Sequence, residues 1–325
     1  MEKKDLMQAL QQGVKDVFEN DRWKQYLAFC AKFHNYSHSN IMLILLQRPN
    51  ATRVAGFNTW RNTFGRTVNK GEKGIAILAP VPYKVEHEKA DGEKTTFTNL
   101  SFRTVFVFDV SQTSGKELPR LIDELRAGVT GYENLLGLLK DSSPFPIEIK
   151  EIEGGARSFC NFAEQKICLK AGMSEAQTIK TLVHEMAHAG LHDRQKRDGK
   201  DKNAVDHRTA EVEAESIAFV VCNYLGIDSS EYTFGYVAGW SSGKDTPELT
   251  RSLVAIQQHS QRMIEDICRA QEKMRETRDT QDVPIIHAPI EDPSPELDAV
   301  VAHPDSVTSP PRGRTRHAKK VSVER

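Results

Sequence analysis

The sequence has few cysteines and no long hydrophobic run, and each shortage excludes a class of protein. Its five cysteines are scattered, odd in number and without a C-x-x-C pair. This argues against a disulfide framework or a cysteine zinc site and favours reduced thiols in the cytoplasm. The longest apolar run, Ile41 to Leu46, is far too short to cross a bilayer, and the amphipathic N-terminus does not resemble a signal peptide. We therefore expect a cytoplasmic protein with no membrane partner.

The chain also lacks an excess of charge of either sign. Its 44 basic and 45 acidic residues give a formal net charge of −1, so a charged partner has to be recognised by a local patch. The composition changes most clearly between Ser111 and Pro119. We expect an α+β protein of two domains, residues 1–115 and 116–276. A disordered tail is expected at 277–325, where Pro, Asp, Ser and Arg are frequent and no periodicity is sustained.

What the sequence does contain is an H-E-x-x-H motif at His184–His188, within a segment whose apolar residues recur at helical spacing. Residues four apart lie on one face of a helix, so His184 and His188 can bind one cation. Such a pair is typical of Zn²⁺ sites, with the intervening Glu185 as general base toward a water molecule. The alternative is a surface helix with an accidental histidine pair.

A catalytic zinc site needs a third protein ligand, and the candidates lie downstream. His192 shares the helix of the pair, but three ligands along one helix climb about 12 Å, too far for one tetrahedron. On the next predicted helix Glu211 and Glu215 flank an apolar stripe, whereas Glu213 is expected to point to the opposite side. Two explanations stay open. The glutamates form a solvated acidic edge, or Glu211 completes a His₂Glu site while Glu215 hydrogen-bonds a ligating imidazole.

The sequence of this region resembles the gluzincin metallopeptidases, in particular the group related to phage-repressor-cleaving peptidases. The resemblance rests on HEMAH followed, 23 residues after His188, by E-x-E-A-E-x-x-A. It implies a zincin-like C-terminal domain with Glu211 as the third Zn²⁺ ligand and Glu215 supporting a histidine, although these families more often have Asp or Asn there. Glu185 would then take a proton from water and deliver it to the leaving amine. The oxyanion donor is left open among Tyr224, Tyr232, Tyr236 and His207.

A second pattern lies between residues 48 and 73, where basic residues recur and Glu72 is the one acidic residue. Three aromatics, Phe57, Trp60 and Phe64, are interleaved with them. Aromatic side chains within a cationic groove hold single-stranded nucleic acid without sequence preference. The helical spacing of the same aromatics favours a buried core over base stacking, and the arginines alone are also typical of a solvated face.

The segment from Asn50 to Pro80 resembles the N-terminal domain of the ArdC-type antirestriction proteins, which occur on plasmids and other mobile elements. The matching residues read V-A-G-F-x-T-W-R-x-x-F-G-R-x-V-x-K-G-E-K-G-I. The resemblance implies single-stranded DNA binding by this domain and a zincin-like metallopeptidase domain after it. The DNA contacts expected from it are Arg53, Arg61, Arg66, Lys70 and Lys73 for phosphates and Trp60 for base stacking.

These patterns together predict an antirestriction-type protein that binds single-stranded DNA non-specifically and carries Zn²⁺ in its C-terminal domain. The alternative is an active zinc metallopeptidase that cleaves a DNA-associated or regulatory protein, with the N-terminal domain serving only for localisation. Whether the chain is an enzyme, and whether it has a protein substrate, is left open. The basic tail segment PPRGRTRHAKK is either a flexible arm that adds DNA affinity or a solubilising end.

Overall fold

The computed structural model describes residues 3–18, 22–88, 94–118, 131–192, 205–229 and 232–279. In its first part the elements are α1 (Lys3–Asp16), α2 (Arg22–Lys32), α3 (His38–Gln47), β1 (Val54–Gly56), α4 (Phe57–Asn62), β2 (Arg66–Val68), β3 (Ile75–Glu88), β4 (Lys94–Asp109) and β5 (Thr113–Gly115). In its second part they are α5 (Tyr132–Ser142), β6 (Ile147–Lys150), β7 (Ser158–Asn161), β8 (Lys166–Lys170), α6 (Glu175–Leu191), α7 (His207–Tyr224), α8 (Val237–Ser241) and α9 (Thr246–Asp279). The expected mixture of helices and sheets is confirmed.

The described strands form three small sheets, in the orders β1-β4-β3, β2-β5 and β6-β8-β7. Strands β3 and β4 pair antiparallel from Ile75 opposite Val107 to Glu88 opposite Lys94. The sequence predicts a long polar loop here, whereas the two strands extend well into it. Polar residues can continue a two-stranded ladder because its backbone hydrogen bonds do not depend on the side chains.

The N-terminal helices pack against the helices that follow the motif. The sequence predicts one helix over residues 5–32, but the structure has α1 and α2 as separate helices. Helix α2 packs on α7, and α9 contacts α1, α2 and α3 as well as α6 and α7. Buried side chains from Leu6 to Ile267 form one continuous hydrophobic cluster. The packing of α6 and α7 therefore rests on both halves of the chain.

Helices α6 and α7 carry the motif residues, and both begin at capped ends. The Ser174 hydroxyl accepts a hydrogen bond from the Gln177 amide, and the Asp206 carboxylate accepts one from Thr209, so each helix has a defined first residue. The apolar faces of the two helices pack against each other. This contact sets the distance between the motif histidines and the glutamates of α7.

Two expectations from the sequence fall on residues outside the described ranges. They are the disordered tail from residue 280 onward and the first part of the helix expected from Leu121 to Lys140. Within the described residues, no helix combines the length and the apolar composition that a membrane span requires.

Candidate metal centre and nucleic-acid surface

Three of the predicted ligand residues come together between α6 and α7. The Nε2 atoms of His184 and His188 lie 3.1 Å apart. Oε2 of Glu211 lies 3.6 Å from His184 Nε2, and its Oε1 lies 3.4 Å from His188 Nε2. Each residue therefore directs one ligand atom at the same small volume, and among the described residues this is the group whose geometry could hold a metal ion.

The spacing of these atoms matches the coordination shell of a small divalent cation. A tetrahedral ion with bonds of about 2.1 Å holds its ligand atoms about 3.4 Å apart, and an octahedral ion with the same bonds holds neighbours about 3.0 Å apart. The 3.1 Å between the two Nε2 atoms agrees with these values, and Glu211 places Oε2 3.6 Å from His184 Nε2 and Oε1 3.4 Å from His188 Nε2. Two imidazoles and one carboxylate also leave coordination positions open for other groups.

The electrostatics of the site show a carboxylate and imidazoles that stabilise one another. Hydrogen bonds to His184 and then His188 hold the pKa of Glu211 far below its usual range, despite its partial burial. For His184, burial by itself lowers the pKa. The hydrogen bond with Glu211 and the charges of Glu185, Glu211 and Glu215 outweigh it, and the pKa is raised. Divalent cations bind in such places because they replace the proton that the imidazoles otherwise attract.

Glu185 is buried beside the three ligand residues, at the end of an open cleft of about 460 Å³. The hydroxyl of Ser158, on β7, donates a 2.6 Å hydrogen bond to Glu185 Oε1. Strand β7 lies at the edge of its described sheet and packs on α6, which brings this hydroxyl to the motif. Arg157, Lys180 and Tyr232 also line the cleft. The structure thus holds the carboxylate at a fixed place next to the ligand set.

The structure corrects the expected role of Glu215. Its Oε2 accepts a 2.8 Å hydrogen bond from the Tyr236 hydroxyl, and none of its described hydrogen bonds is to an imidazole. Burial and then the charge of Glu215 raise the pKa of Tyr236. The resemblance to the gluzincins implied that Glu215 supports a ligating histidine. Instead, the loop before α8 places the Tyr236 hydroxyl where it donates a hydrogen bond to the Glu215 carboxylate.

The four candidates for the oxyanion donor lie at different places. The Tyr236 hydroxyl is hydrogen-bonded to Glu215, and Tyr232 lines the same cleft as Glu185. The Tyr224 hydroxyl contacts Cys268 and its ring lies against His34, while the exposed His207 has its Nε2 3.8 Å from Glu211 Oε1.

His192 and Glu213 form a hydrogen-bonded pair that the sequence did not predict, next to Nδ1 of His188. Nδ1 of His188 lies 3.0 Å from Nδ1 of His192, and Nε2 of His192 lies 3.2 Å from Oε2 of Glu213. Glu213 is 3% exposed, so the expectation that it points away from the site is wrong. Helix α7 packs with α6 on one side and α9 on another, and the apolar stripe alone does not reveal which side faces α6. The four-residue repeat of His184, His188 and His192 was the available signal.

In the N-terminal part, the expected stacking role of Trp60 is wrong. Trp60 is 0% exposed, and its indole Nε1–H donates a 2.8 Å hydrogen bond to the carbonyl of Phe108. A ring in this position cannot reach a nucleobase. Arg66 is also occupied, because its guanidinium donates to Thr113 and to the carbonyls of Gly115 and Lys116. It joins β2 to β5 instead of extending into solvent.

The other expected DNA contacts remain at the surface to different degrees. Arg61, Lys70 and Lys73 are exposed, and none of them forms an ion pair with a described residue. Arg53 is partly buried next to β1. The sequence interpretation missed Phe106 on β4, which is 53% exposed and adjoins the basic segment only through the folded sheet.

Comparisons with known proteins agree with this description. Residues 3–108 match the family model of the N-terminal domain of anti-restriction factor ArdC. An uncharacterised protein of Bacillus anthracis, pXO2-81, is 26% identical over 336 aligned positions, which cover 88% of this chain and 56% of that protein. The chain thus spans little more than half the length of this relative.

Two crystal structures of the antirestriction protein ArdC from plasmid R388 resemble the fold. The Mn(II)-bound structure has a TM-score of 0.50 at 17% identity, covering 81% of this chain and 97% of that one. For the metal-free structure the TM-score is 0.47 at 19% identity, with coverage of 72% and 86%.

The fold and the site define an α+β protein in which a domain similar to the ArdC N-terminal domain precedes a His₂Glu group whose spacing suits a divalent cation. Residues 3–108 match the ArdC N-terminal domain, in agreement with the resemblance that the sequence of this segment shows.

Proposed function

We propose that this chain is an antirestriction protein of the cytoplasm that binds single-stranded DNA without sequence preference. The observation that carries the proposal is the match of residues 3–108 to the ArdC N-terminal domain, together with the exposed cations Arg61, Lys70 and Lys73 within that match. Cations without acidic partners attract a polyanion and release its counterions. Binding of this kind needs no turnover.

The second element of the proposal is a divalent cation held by His184, His188 and Glu211 in a zincin-like C-terminal domain, which we delimit as residues 116–276. The 3.1 Å between the two Nε2 atoms supports it, as do the Glu211 oxygens that lie 3.6 Å and 3.4 Å from them. A related antirestriction protein binds Mn(II), whereas two imidazoles and one carboxylate are equally typical of Zn²⁺. Such a cation, when bound, supplies Lewis acidity to a carbonyl or a water molecule.

One observation favours a peptidase as the second candidate function. Metal binding requires only the three ligand residues, yet Glu185 is buried beside them and oriented by Ser158. A carboxylate in that position can accept a proton from water and return it to a leaving amine. The edge strand β7 beside the cleft could pair with an extended peptide, since strand addition uses unpaired backbone groups. In this alternative the N-terminal domain only brings the peptidase to DNA.

A salt titration with charge-reversed variants tests the DNA-binding proposal. The variant carries Arg61→Glu and Lys73→Glu, and its matched control carries Lys140→Glu and Arg251→Glu, two exposed residues of α5 and α9. Fluorescence anisotropy of a labelled single-stranded oligonucleotide gives the affinity at each salt concentration. We expect the first variant to bind more weakly and with a salt slope smaller by about 1.4, which corresponds to about two lost phosphate contacts. An affinity of the wild type that does not fall with salt, or equal binding by both variants, contradicts the proposal.

A further inference from the structure

Three phenylalanines form a row at the surface, with Phe106 and Phe108 on β4 and Phe57 at the start of α4. Phe57 is 50% exposed and Phe106 is 53% exposed. Between them lies Phe108, whose ring centroid is 6.3 Å from that of Phe57, with the two planes at 70°. We call these three residues the phenylalanine row. Large apolar side chains in contact with one another at a protein surface mark an interaction site.

Gly74 lets the row lie close to the sheet. A Cβ atom at this position would come within 2.9 Å of Phe106 Cβ and 3.2 Å of the Phe108 ring. Any other residue would push both rings outward. Gly74 follows Lys73 directly, and Arg61 lies one helical turn after Phe57 on α4, so exposed cations adjoin the row at two places.

We propose that the phenylalanine row is the platform on which bases of single-stranded DNA stack, a role that rests on the proposed function. The surface combines flat apolar rings with exposed cations that form no ion pair with a described residue, and single-stranded nucleic acid has both complementary features, exposed base faces and phosphates. In a duplex the bases are stacked on each other and cannot reach the rings. The row thus takes the role that the sequence assigned to the buried Trp60.

Two double variants test the platform without altering charge. In the first, Phe57→Leu and Phe106→Leu keep apolar bulk but remove the rings. In the control, Phe57→Tyr and Phe106→Tyr keep the rings. We expect the leucine variant to bind a labelled oligothymidylate about tenfold to hundredfold more weakly than wild type, with an unchanged salt slope, and the tyrosine variant to bind like wild type. Thermal denaturation identifies an unfolded variant, and the two single variants then replace the double one.

The outcomes separate this inference from the function on which it rests. If wild type does not bind single-stranded DNA, the proposed function fails and the platform with it. If wild type binds and the leucine variant binds equally well, the platform proposal fails and the DNA function stands. If the leucine substitutions instead convert a dimeric wild type into a monomer, the row is a contact between copies of the chain, and the proposal is overturned.

A separate observation, the buried pair His192–Glu213, carries a second inference. An ionised carboxylate can only accept hydrogen bonds, so the 3.2 Å contact places the proton of neutral His192 on its Nε2. Its Nδ1 is then an acceptor, and the 3.0 Å contact makes His188 Nδ1–H the donor. With Nδ1 directed at His192, Nε2 is the nitrogen of His188 that can bind a cation in place of the proton it shares with Glu211. That nitrogen is the one that faces His184 and Glu211.

We infer that Glu213 is a positioning residue that acts through His192 to fix His188 in the tautomer that can ligate a metal. Both side chains of the pair are almost fully buried, so water does not compete for these hydrogen bonds. Partners behind a ligating imidazole typically change metal affinity by about tenfold to a hundredfold when they are removed.

Glu213→Leu and Glu213→Gln distinguish this role from simple packing. Leucine cannot accept the hydrogen bond from His192, whereas the glutamine carbonyl can. Calorimetric titration with Mn²⁺ and with Zn²⁺ should show about tenfold or greater weakening for Glu213→Leu and near-wild-type affinity for Glu213→Gln. Ser216→Ala, on the same helix and equally buried, is the control expected to leave affinity unchanged.

The tautomer can be observed directly in the metal-free wild type. Long-range ¹H–¹⁵N spectra of the imidazoles distinguish a protonated Nδ1 from a protonated Nε2. We expect His188 Nδ1 to carry a proton, whatever the protonation of its Nε2 toward Glu211. A His188 Nδ1 without a proton, or a folded Glu213→Leu variant with unchanged metal affinity, overturns the inference. Because the spectrum needs neither a variant nor a metal, it decides the question even if Glu213→Leu does not fold.

Discussion

Oε1 of Glu211 lies 3.4 Å from Nε2 of His188, across the contact between α6 and α7. The two residues are brought together by the packing of two capped helices whose apolar faces are buried against each other. The spacing suited to a cation is therefore set by the hydrophobic core, before any ion binds. Because α2 and α9 also pack on α7, substitutions in the N-terminal helices should change the spacing of the ligand atoms at this site.

His259 should make the stability of the protein depend on pH. Burial, with smaller contributions from Arg262 and His192, lowers its pKa to about 3, and within the described part of the chain neither ring nitrogen has a hydrogen-bond partner. The folded pKa lies below the unfolded value of about 6.5, so the unfolded chain takes up the proton first and stability falls as pH drops below that value.

Relative to His259→Leu, wild type should lose about 1.4 kcal/mol of unfolding free energy between pH of about 7.5 and 5.5. Urea denaturation of both proteins across that range measures the difference. A difference that is constant with pH would show that His259 does not stay neutral in the fold.

Gly190→Ala should destabilise the protein because of the same histidine. A Cβ on Gly190 would lie 2.4 Å from Cε1 of the His259 ring. Alanine is otherwise preferred in helices, by about 1 kcal/mol, but overpacking of this kind costs about 1 to 3 kcal/mol. In the His259→Ala variant the effect on the unfolding free energy should change sign, so that Gly190→Ala stabilises the protein. Thermal or urea denaturation of the four proteins gives the coupling, and additive effects would contradict the contact.

Trp60 should matter for folding and not for DNA contact. Trp60→Ala removes a fully buried side chain and its hydrogen bond to Phe108, and we expect a loss of about 3 to 5 kcal/mol in unfolding free energy. Trp60→Phe should be milder and keep wild-type affinity for single-stranded DNA wherever it is folded. If folded Trp60→Phe loses that affinity while its stability is intact, the assignment of Trp60 to the core is mistaken.

Glu185→Gln separates DNA binding from peptide hydrolysis. The amide can still accept the hydrogen bond from Ser158, so the site should keep its shape, its metal and its DNA affinity. Any hydrolysis that needs a general base should be lost. In a plasmid-transfer assay against a restricting host, we expect the variant to protect incoming DNA like wild type. Loss of protection with normal DNA binding would favour the peptidase candidate.

The sequence predicted that His184 and His188 lie side by side because that signal is local. His184 and His188 follow from helical spacing alone, and the capped start of α6 keeps that spacing. The partners of these residues were not predictable in the same way. Glu213, and not Glu215, contacts His192. Helix α7 packs with both α6 and α9, and this packing decides which of its side chains meet α6.

The aromatic residues show the same limit. Helical spacing groups Trp60 with Phe57, but in the folded protein Trp60 is buried and Phe57 is exposed. Phe106 lies far along the chain from both and joins the surface only through the pairing of β3 with β4. The division at residue 115 and the extent of a zincin-like domain stay predictions.

Calorimetric titration of the metal-free protein with Mn²⁺ and Zn²⁺ tests the central claim, that His184, His188 and Glu211 form one cation site. We predict one bound ion per chain for wild type and for Glu215→Gln. We predict loss of that binding in His184→Ala and at least about tenfold weakening in Glu211→Gln. Undiminished binding by folded His184→Ala and Glu211→Gln, or weakening only in Glu215→Gln, would contradict the account.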